Sequence, residues 1–457
     1  MLKSTLTDYG PVNNIAVASI SPPLFESRSM TRCLIGALGI ALLFVNLSLA
    51  QGGDGWMADP AQVAKLSAAR PEFNYDESRV PQYSLPDPLL TRSGVVIADA
   101  AQWPARREET LELFRTNVYG RRPLADYRVS FQTITESDGL FDLGATGRSV
   151  KVTIAAGSET FSFPLFVFLP PQASSAKSNA GQRRPALIHI NNRTFPTFEA
   201  ASTTYDEFWP VRDLLKRGYI ACGISTVAVD PDRAAGFDGG VRGFLHRASG
   251  QPSQLPDDQA WKALSAWGWG ASRALDYLLT LEQVDASKVG VIGHSRGGKA
   301  ALWAAAEDPR FAVAYSNDSG CGGAALSRRM YGETIERITR SFPHWFCDRF
   351  NTFADQESTL PVDQHQLFGL IAPRPVYVAS AAEDLWADPR GEYLSMVAAS
   401  PVYELLGEKA FQSSDMPALG EPRVEGRMGY HIRSGGHGLT AYDWGKFMDF
   451  CDAQWDQ

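Results

Sequence analysis

From Pro185 to the C-terminus the chain alternates short, almost wholly apolar runs with stretches long enough for helices. PALIHIN (185–191) precedes a helical stretch near Phe208–Arg217, and YIACGIS (219–225) precedes a long Gly-rich segment and a helix over Gln259–Glu282. VGVIG (289–293), a helix over Lys299–Glu307, FAVAYSN (311–317), a variable region, RPVYVAS (374–380), GYHIRSG (429–435) and a C-terminal helix over Ala441–Gln454 complete the series. A strand that is apolar on both faces has to be covered on both. The alternation therefore predicts an α/β fold, with a mostly parallel central sheet and helices on both faces. Ligands in such sheets gather outside the carboxyl ends of the strands, so chemistry is to be sought there.

Ahead of this region the signals are weaker. Residues 51–90, rich in Pro, Asp and Tyr (NYDESRVPQYSLPDPL), read as an extended arm lying on the domain. A helix over Arg106–Tyr119 is stopped by Gly120 and Pro123, strand-like runs cover Ser149–Ala155 and Phe161–Leu169, and Gln172–Arg184 is a polar surface loop. Near the start, Met30–Gln51 combines a basic residue, an apolar run over Cys33–Val45 and the small-x-small triplet Ser48-Leu49-Ala50. That is the pattern of a secretory signal peptide, with Met30 a candidate for the true start. Its apolar run is shorter than the ~20 residues a membrane span needs. The expected organisation is a leader over 1–50, an arm over 51–90 and one catalytic domain over 91–457, in a secreted or periplasmic protein.

Composition narrows the function by exclusion. With 457 residues, 44% hydrophobic and 21% charged, the chain has ordinary globular composition and enough apolar content for one large core. Its formal charge of −8 is spread without like-charge runs or a basic stripe, which argues against nucleic acid or an anionic membrane as partner. Cys222, Cys321, Cys347 and Cys451 follow the leader, and Cys321 with Cys347 is the candidate disulfide if export exposes the chain to oxidation. No CxxC, HExxH or His/Cys cluster has metal-ligand spacing, so neither a metal nor a cofactor is expected, and the chain is expected to act as a monomer.

GHSRGGKAALW (293–303) carries the chemistry. Its Gly-x-Ser-x-Gly core is common as a turn, but here a strand leads into it and a helix leads out, the context that a nucleophile elbow requires in an α/β-hydrolase fold. Ser295 is then the nucleophile, and an acid and a histidine should follow in that order at later strand ends. Asp384 follows RPVYVAS and His437 follows GYHIRSG, each in the right place. Asp318, after FAVAYSN, is the alternative acid, because neighbouring strand ends lie about 4.8 Å apart and it too can reach the imidazole. The backbone N–H of Arg296, with a donor within Asn191-Asn192-Arg193, is the candidate oxyanion site.

Two cations sit oddly. Arg296 and Lys299 share one face of the first helical turn beside the serine, where the helix dipole disfavours positive charge by roughly 0.3–1 kcal/mol each. Solvated side chains would explain them, and so would oxygen-rich ligands: Arg296 at the oxyanion, Lys299 at hydroxyls or a carboxylate of a polar substrate. Trp386, near the same rim, suits a sugar face or simply closes the core.

At these residues the sequence resembles the glucuronoyl esterases, carbohydrate esterase family 15, and most of all its bacterial branch. The resemblance runs from NYDESRVPQYSLPDPL through NVYGRRP, GHSRGGKAALW, SNDSGCGGAALSRR, FPHWFC, LPVDQHQL and APRPVYVASAAEDLWADP to GYHIRSGGHGLTAYDW. It implies an esterase acting without cofactor on carbohydrate esters of glucuronate in xylan and lignin fragments, with Ser295 as nucleophile, His437 as base and Arg296 as oxyanion stabiliser. It also implies that Lys299, Glu333 and Trp386 hold the glucuronate, and that the acid stands at Asp318 or Asp384. Fungal members carry Glu where this chain has the shorter Asp318, and a cysteine in the elbow that is absent here, so their disulfide beside the site cannot form. An acetyl-xylan or general carboxylesterase on the same fold is the competing enzyme, and a carbohydrate-binding protein on a hydrolase scaffold the non-enzyme alternative.

Overall fold

The computed structural model describes residues 55–171, 183–250 and 257–455. The leader expected over 1–50 and most of the polar loop expected over Gln172–Arg184 lie outside them.

Among the described residues one sheet of ten strands runs in the order β1-β2-β3-β5-β4-β6-β7-β8-β10-β9. Its strands are β1 (Arg128–Leu140), β2 (Ala145–Ala156), β3 (Glu159–Leu169), β4 (Arg184–Asn191), β5 (Ile220–Ser225), β6 (Val284–His294), β7 (Val313–Asn317), β8 (Val376–Ala381), β9 (Arg423–Glu425) and β10 (Met428–Arg433). The middle is parallel, from β5 through β4, β6, β7 and β8 to β10. The flanks are antiparallel: β1–β2–β3–β5 on one side and the short β9 on the other.

The apolar runs divide between two cores because successive strand side chains point to opposite faces. Ile188, Ile190, Val289, Val291, Val376 and Val378 join the larger core, which contains the helices Ala263–Leu278 and Arg296–Glu307. Leu187, Ile292, Tyr315, Tyr377 and Ala379 face the other way, onto Trp444 and Phe447 of the C-terminal helix Ala441–Trp455. This is the predicted α/β-hydrolase arrangement, with helices on both faces. Trp303, the last residue of the elbow motif, is fully buried and stacks on Tyr119 with ring centroids 4.3 Å apart. Truncating such a side chain costs about 3–5 kcal/mol.

Several expectations need correction. The arm is not extended throughout, because Pro60–Ala69 is a helix started by Pro at its first position and capped by the Asp59 carboxylate. The helix expected over Arg106–Tyr119 begins earlier, at Trp103, and its last part, Arg115–Tyr119, is a π-helical turn before Gly120 at φ 82°. Strand β1 went unread; it is exposed or half-buried at every position, with Val129 and Phe131 turned toward the core. A long helix, Pro389–Leu405, also went unread; Asp388 caps it and Pro401 lies inside it. The Cys321–Cys347 disulfide is not formed. All four cysteines are free and buried, and the Cys347 thiol points to the Thr116 carbonyl. Among the described residues no helix is long and apolar enough to cross a membrane.

Candidate active site

Four parallel strands end around one point. Ser295 follows β6 and opens the helix Arg296–Glu307 with φ 55° and ψ −127°, a left-handed backbone that costs a non-glycine residue of order 1–3 kcal/mol. The flanking glycines make the turn possible. A Cβ on Gly293 would come within 2.1 Å of the Gly297 carbonyl oxygen, and one on Gly297 within 2.8 Å of the Ile190 oxygen. The Ser295 amide donates to the Asn317 carbonyl at 2.8 Å, which pins the elbow to the end of β7.

His437 comes from the loop after β10. Its Nδ1 lies 2.6 Å from Asp384 Oδ2, the carboxylate that follows β8. The imidazole is 44% exposed, and its ring centroid is 4.4 Å from that of His294, the residue before the serine. Arg433 braces this loop from below: it donates to the carbonyls of Ser434, Gly436 and Gly438 and pairs with Asp443 at 2.9 Å.

Asp318, the other acid, is buried at the end of β7 with φ 45°. Its Oδ2 accepts from the Gly438 amide at 3.2 Å and lies 3.6 Å from Arg433, while Oδ1 is buried without a hydrogen bond. Burial, with the negative charge of Asp384 and Glu392 nearby, pushes its carboxyl well above the usual carboxylate range despite Arg433. Asp318, Asp384 and His437 bring one ligand atom each within 4.8 Å of one another. Of the two acids, Asp384 holds the imidazole and Asp318 holds the next backbone amide.

The cations stand in the first turn of the helix that Ser295 opens. Lys299 is 2% exposed, and its ammonium donates to the carbonyls of Ser319 at 2.6 Å and Cys321 at 2.5 Å and to Glu333 Oε2 at 3.3 Å. All three of its donors are thereby engaged. Arg296 stays half-buried. Its Nη2 donates to the Asn192 carbonyl at 2.7 Å, and its Nε forms a 2.6 Å ion pair with Asp232, close rather than well aligned for hydrogen bonding. The two apparently misplaced charges of the helix are therefore both neutralised locally, which offsets the unfavourable dipole. Of the expected oxyanion loop, the Arg193 amide is already spent on Asn191 Oδ1 at 2.9 Å.

Glu333 and Trp386 are joined through their backbones, the Glu333 amide donating to the Trp386 carbonyl at 3.0 Å. Gly332, at φ 61°, allows this approach, since a Cβ there would lie 2.4 Å from the same carbonyl oxygen. One side of the Trp386 indole is taken by the arm: Phe73 meets it edge-on at 4.7 Å and the Arg70 guanidinium lies 4.5 Å from its centroid. Beneath the 318–320 turn, the buried Glu392 carboxylate accepts from the Ser319 and Gly320 amides at 2.8 and 2.9 Å and from the Ser380 hydroxyl. Burial pushes it up to about 8.

Of the eight residues singled out in the sequence, Asp384 meets the His437 ring and Asp318 the amide beside it, Lys299 meets Glu333, and Glu333 meets Trp386 through the backbone, while Ser295 and Arg296 open the helix after β6. Others were missed. His294 reads as the unspecific position of the motif, yet its Nδ1 lies 2.6 Å from Asn317 Oδ1, and burial with the adjacent His437 keeps it well below the usual histidine range. Asp232 sits in the Gly-rich stretch, with no local pattern to mark it. Arg70 and Phe73 lie in the arm, more than 300 positions from Trp386, and its Pro-, Asp- and Tyr-rich composition did not mark them.

The sheet order, the strained serine at a strand-to-helix elbow and the later histidine and acid define the α/β-hydrolase class. Residues 246–407 match the family model described as glucuronyl esterase, fungi. Over 429 residues the chain is 37% identical to the carbohydrate esterase MZ0003 of an unknown prokaryotic organism, covering 87% of this chain and 94% of that protein. It is 28% identical to 4-O-methyl-glucuronoyl methylesterase 1 of Wolfiporia cocos over 363 residues, covering 76% of this chain and 78% of that one. The solved structure of the glucuronoyl esterase from Solibacter usitatus matches with a TM-score of 0.74 and 36% identity, covering 83% of this chain and 100% of the other. The chain belongs to the glucuronoyl esterase family, and it is a carboxylic ester hydrolase.

Proposed function

We propose that the protein hydrolyses esters of glucuronic acid or 4-O-methyl-glucuronic acid, such as those linking glucuronoxylan to lignin alcohols, through an acyl-enzyme on Ser295. The observation that carries this reading is the pairing of an acid–base couple, His437 with Asp384 at 2.6 Å, with a wall of two ion pairs, Arg296–Asp232 and Lys299–Glu333, on the helix that Ser295 opens. The couple supports ester cleavage. The wall favours a polar acyl group where a lipase would present apolar side chains.

In this reading His437 Nε2 takes the Ser295 proton as Oγ attacks the ester carbonyl, and Asp384 holds the tautomer and stabilises the imidazolium. The Arg296 amide and guanidinium meet the oxyanion. Collapse expels the alcohol, which takes the proton from His437; water then attacks the acyl-enzyme, giving up a proton to His437, and glucuronate leaves with Ser295 restored. Glu333 and Trp386 hold the sugar. Lys299, already bonded on three sides, supplies charge from beneath and fixes Glu333, the longest and most readily exchanged of its contacts.

The test is a comparison of kcat/KM on benzyl glucuronate and on simple acetyl esters. Strong preference for the glucuronate is expected; equal rates would favour the general carboxylesterase instead. That second reading draws some support from a marine metagenome relative whose solved structure is described as a promiscuous esterase of this family, with a TM-score of 0.74 and 36% identity. Export follows from the leader pattern, and N-terminal sequencing of the mature protein should find the chain starting after Ala50.

A further inference from the structure

We infer that Asp232 is the positioning residue for Arg296. It holds the guanidinium at the oxyanion against the field of the helix that carries it, an inference that rests on the oxyanion role proposed above for Arg296.

Arg296 is the first residue of its helix, where unpaired N–H groups already concentrate positive charge. A guanidinium there gains by swinging out to water. Asp232 opposes this with a carboxylate 2.6 Å from Nε, and the Asn192 carbonyl, 2.7 Å from Nη2, fixes the plane of the fork. Of the five donors of an arginine, one on Nη2 is hydrogen-bonded among the described residues, and Nε is held by charge rather than by an aligned hydrogen bond.

Asp232 itself is firmly held. Its Oδ1 accepts from His344 Nε2 at 2.9 Å and from Trp345 Nε1 at 2.7 Å, so both oxygens are assigned. Burial raises its carboxyl, but these two hydrogen bonds and the Arg296 charge outweigh that and keep it below the usual range. The loop is anchored two residues earlier. Asp230 is fully buried, pairs with Arg242 Nε at 2.6 Å and offers its carbonyl to Trp267 Nε1 at 2.9 Å. Trp345 closes the arrangement, its ring 5.9 Å from the guanidinium. A loop pinned at Asp230 presents an anion whose other two ligands are rigid rings. Such a support leaves the arginine one orientation.

A double-mutant cycle on the full chain, with benzyl glucuronate as substrate, tests this. Asp232→Asn keeps the acceptor for His344 and Trp345 and removes the charge; Asp232→Ala removes both. Each should lower kcat about 10-fold or more with KM changed less than about 2-fold, because the lost interaction belongs to the transition state. Arg296→Ala should lower kcat about 10²–10³-fold, and in that background neither Asp232 substitution should cost anything further. Equal losses with and without Arg296 would overturn the positioning role, as would an Asp232→Asn enzyme with wild-type kcat. If Arg296→Ala alone leaves kcat unchanged, the oxyanion reading fails first, and the two failures are thereby told apart.

Discussion

The site has two sides that are built differently, the acid–base couple and the cations of the helix that Ser295 opens. On one, His437 is 44% exposed on a Gly-rich loop and tied at a single nitrogen to Asp384. On the other, Lys299 is 2% exposed with three acceptors and Arg296 is tied at two points. The group that must exchange protons with serine, alcohol and water keeps access to all three. The groups that only present charge are immobilised in advance, so no reorganisation is needed as the oxyanion forms. The contrast separates a side that turns over from a side that waits.

The largest expected effect is on the serine. Ser295→Ala should reduce kcat by about 10⁵–10⁶-fold with an unchanged circular dichroism spectrum, as for a nucleophile acting in a unit with its base. Next comes the contest of acids. Asp384→Asn should cost up to about 10⁴-fold in kcat through the wrong imidazole tautomer, whereas Asp318→Asn, which loses a bond to the Gly438 amide rather than to the ring, should cost less than about 10-fold. The reverse order in steady-state kinetics would transfer the acid's role to Asp318. On the waiting side, Lys299→Met leaves two buried carbonyls and Glu333 unpaired. It should raise KM for benzyl glucuronate about 10-fold or more, at the cost of the 1–3 kcal/mol expected for such unsatisfied groups. An unchanged KM would remove the lysine from sugar binding.

The smallest effect concerns the support under both sides. Glu392 sits at about 8 in the folded protein against an ordinary 4.5, because burial disfavours its charge. Between those values the native state holds a proton that the unfolded chain has lost. This contribution to stability therefore falls as pH rises through the interval and is gone above it. Thermal unfolding from pH 5 to 9 should show Glu392→Gln losing less stability than wild type on the alkaline side, and parallel curves would contradict the assignment.

How much of this was legible in the sequence depended on distance along the chain. Ser295, Asp384 and His437 were readable because each follows an apolar run whose period places it at a strand end, and chain order did the rest. The two-sided core was readable for the same reason. Strand β1 was not, since its inward alternation is confined to Val129 and Phe131 at one end and most of its other positions are exposed. The helix Pro389–Leu405 hid behind Pro401, and the expected disulfide rested only on two cysteines flanking one segment. Asp232 and Arg70 act on residues 64 and more than 300 positions away, Arg296 and Trp386, through contacts that no local pattern encodes. The cations were noticed because they broke a local rule, and the loops that satisfy them supply the compensation.

The central claim is that Ser295 is the residue acylated. Treating the full chain with a serine-reactive fluorophosphonate and mapping the adduct by peptide mass spectrometry tests it most directly. The account predicts one adduct, on the peptide containing GHSRGGK, with matching loss of esterase activity and no labelling of Ser295→Ala. An adduct on another serine, or full activity in the labelled protein, would contradict it.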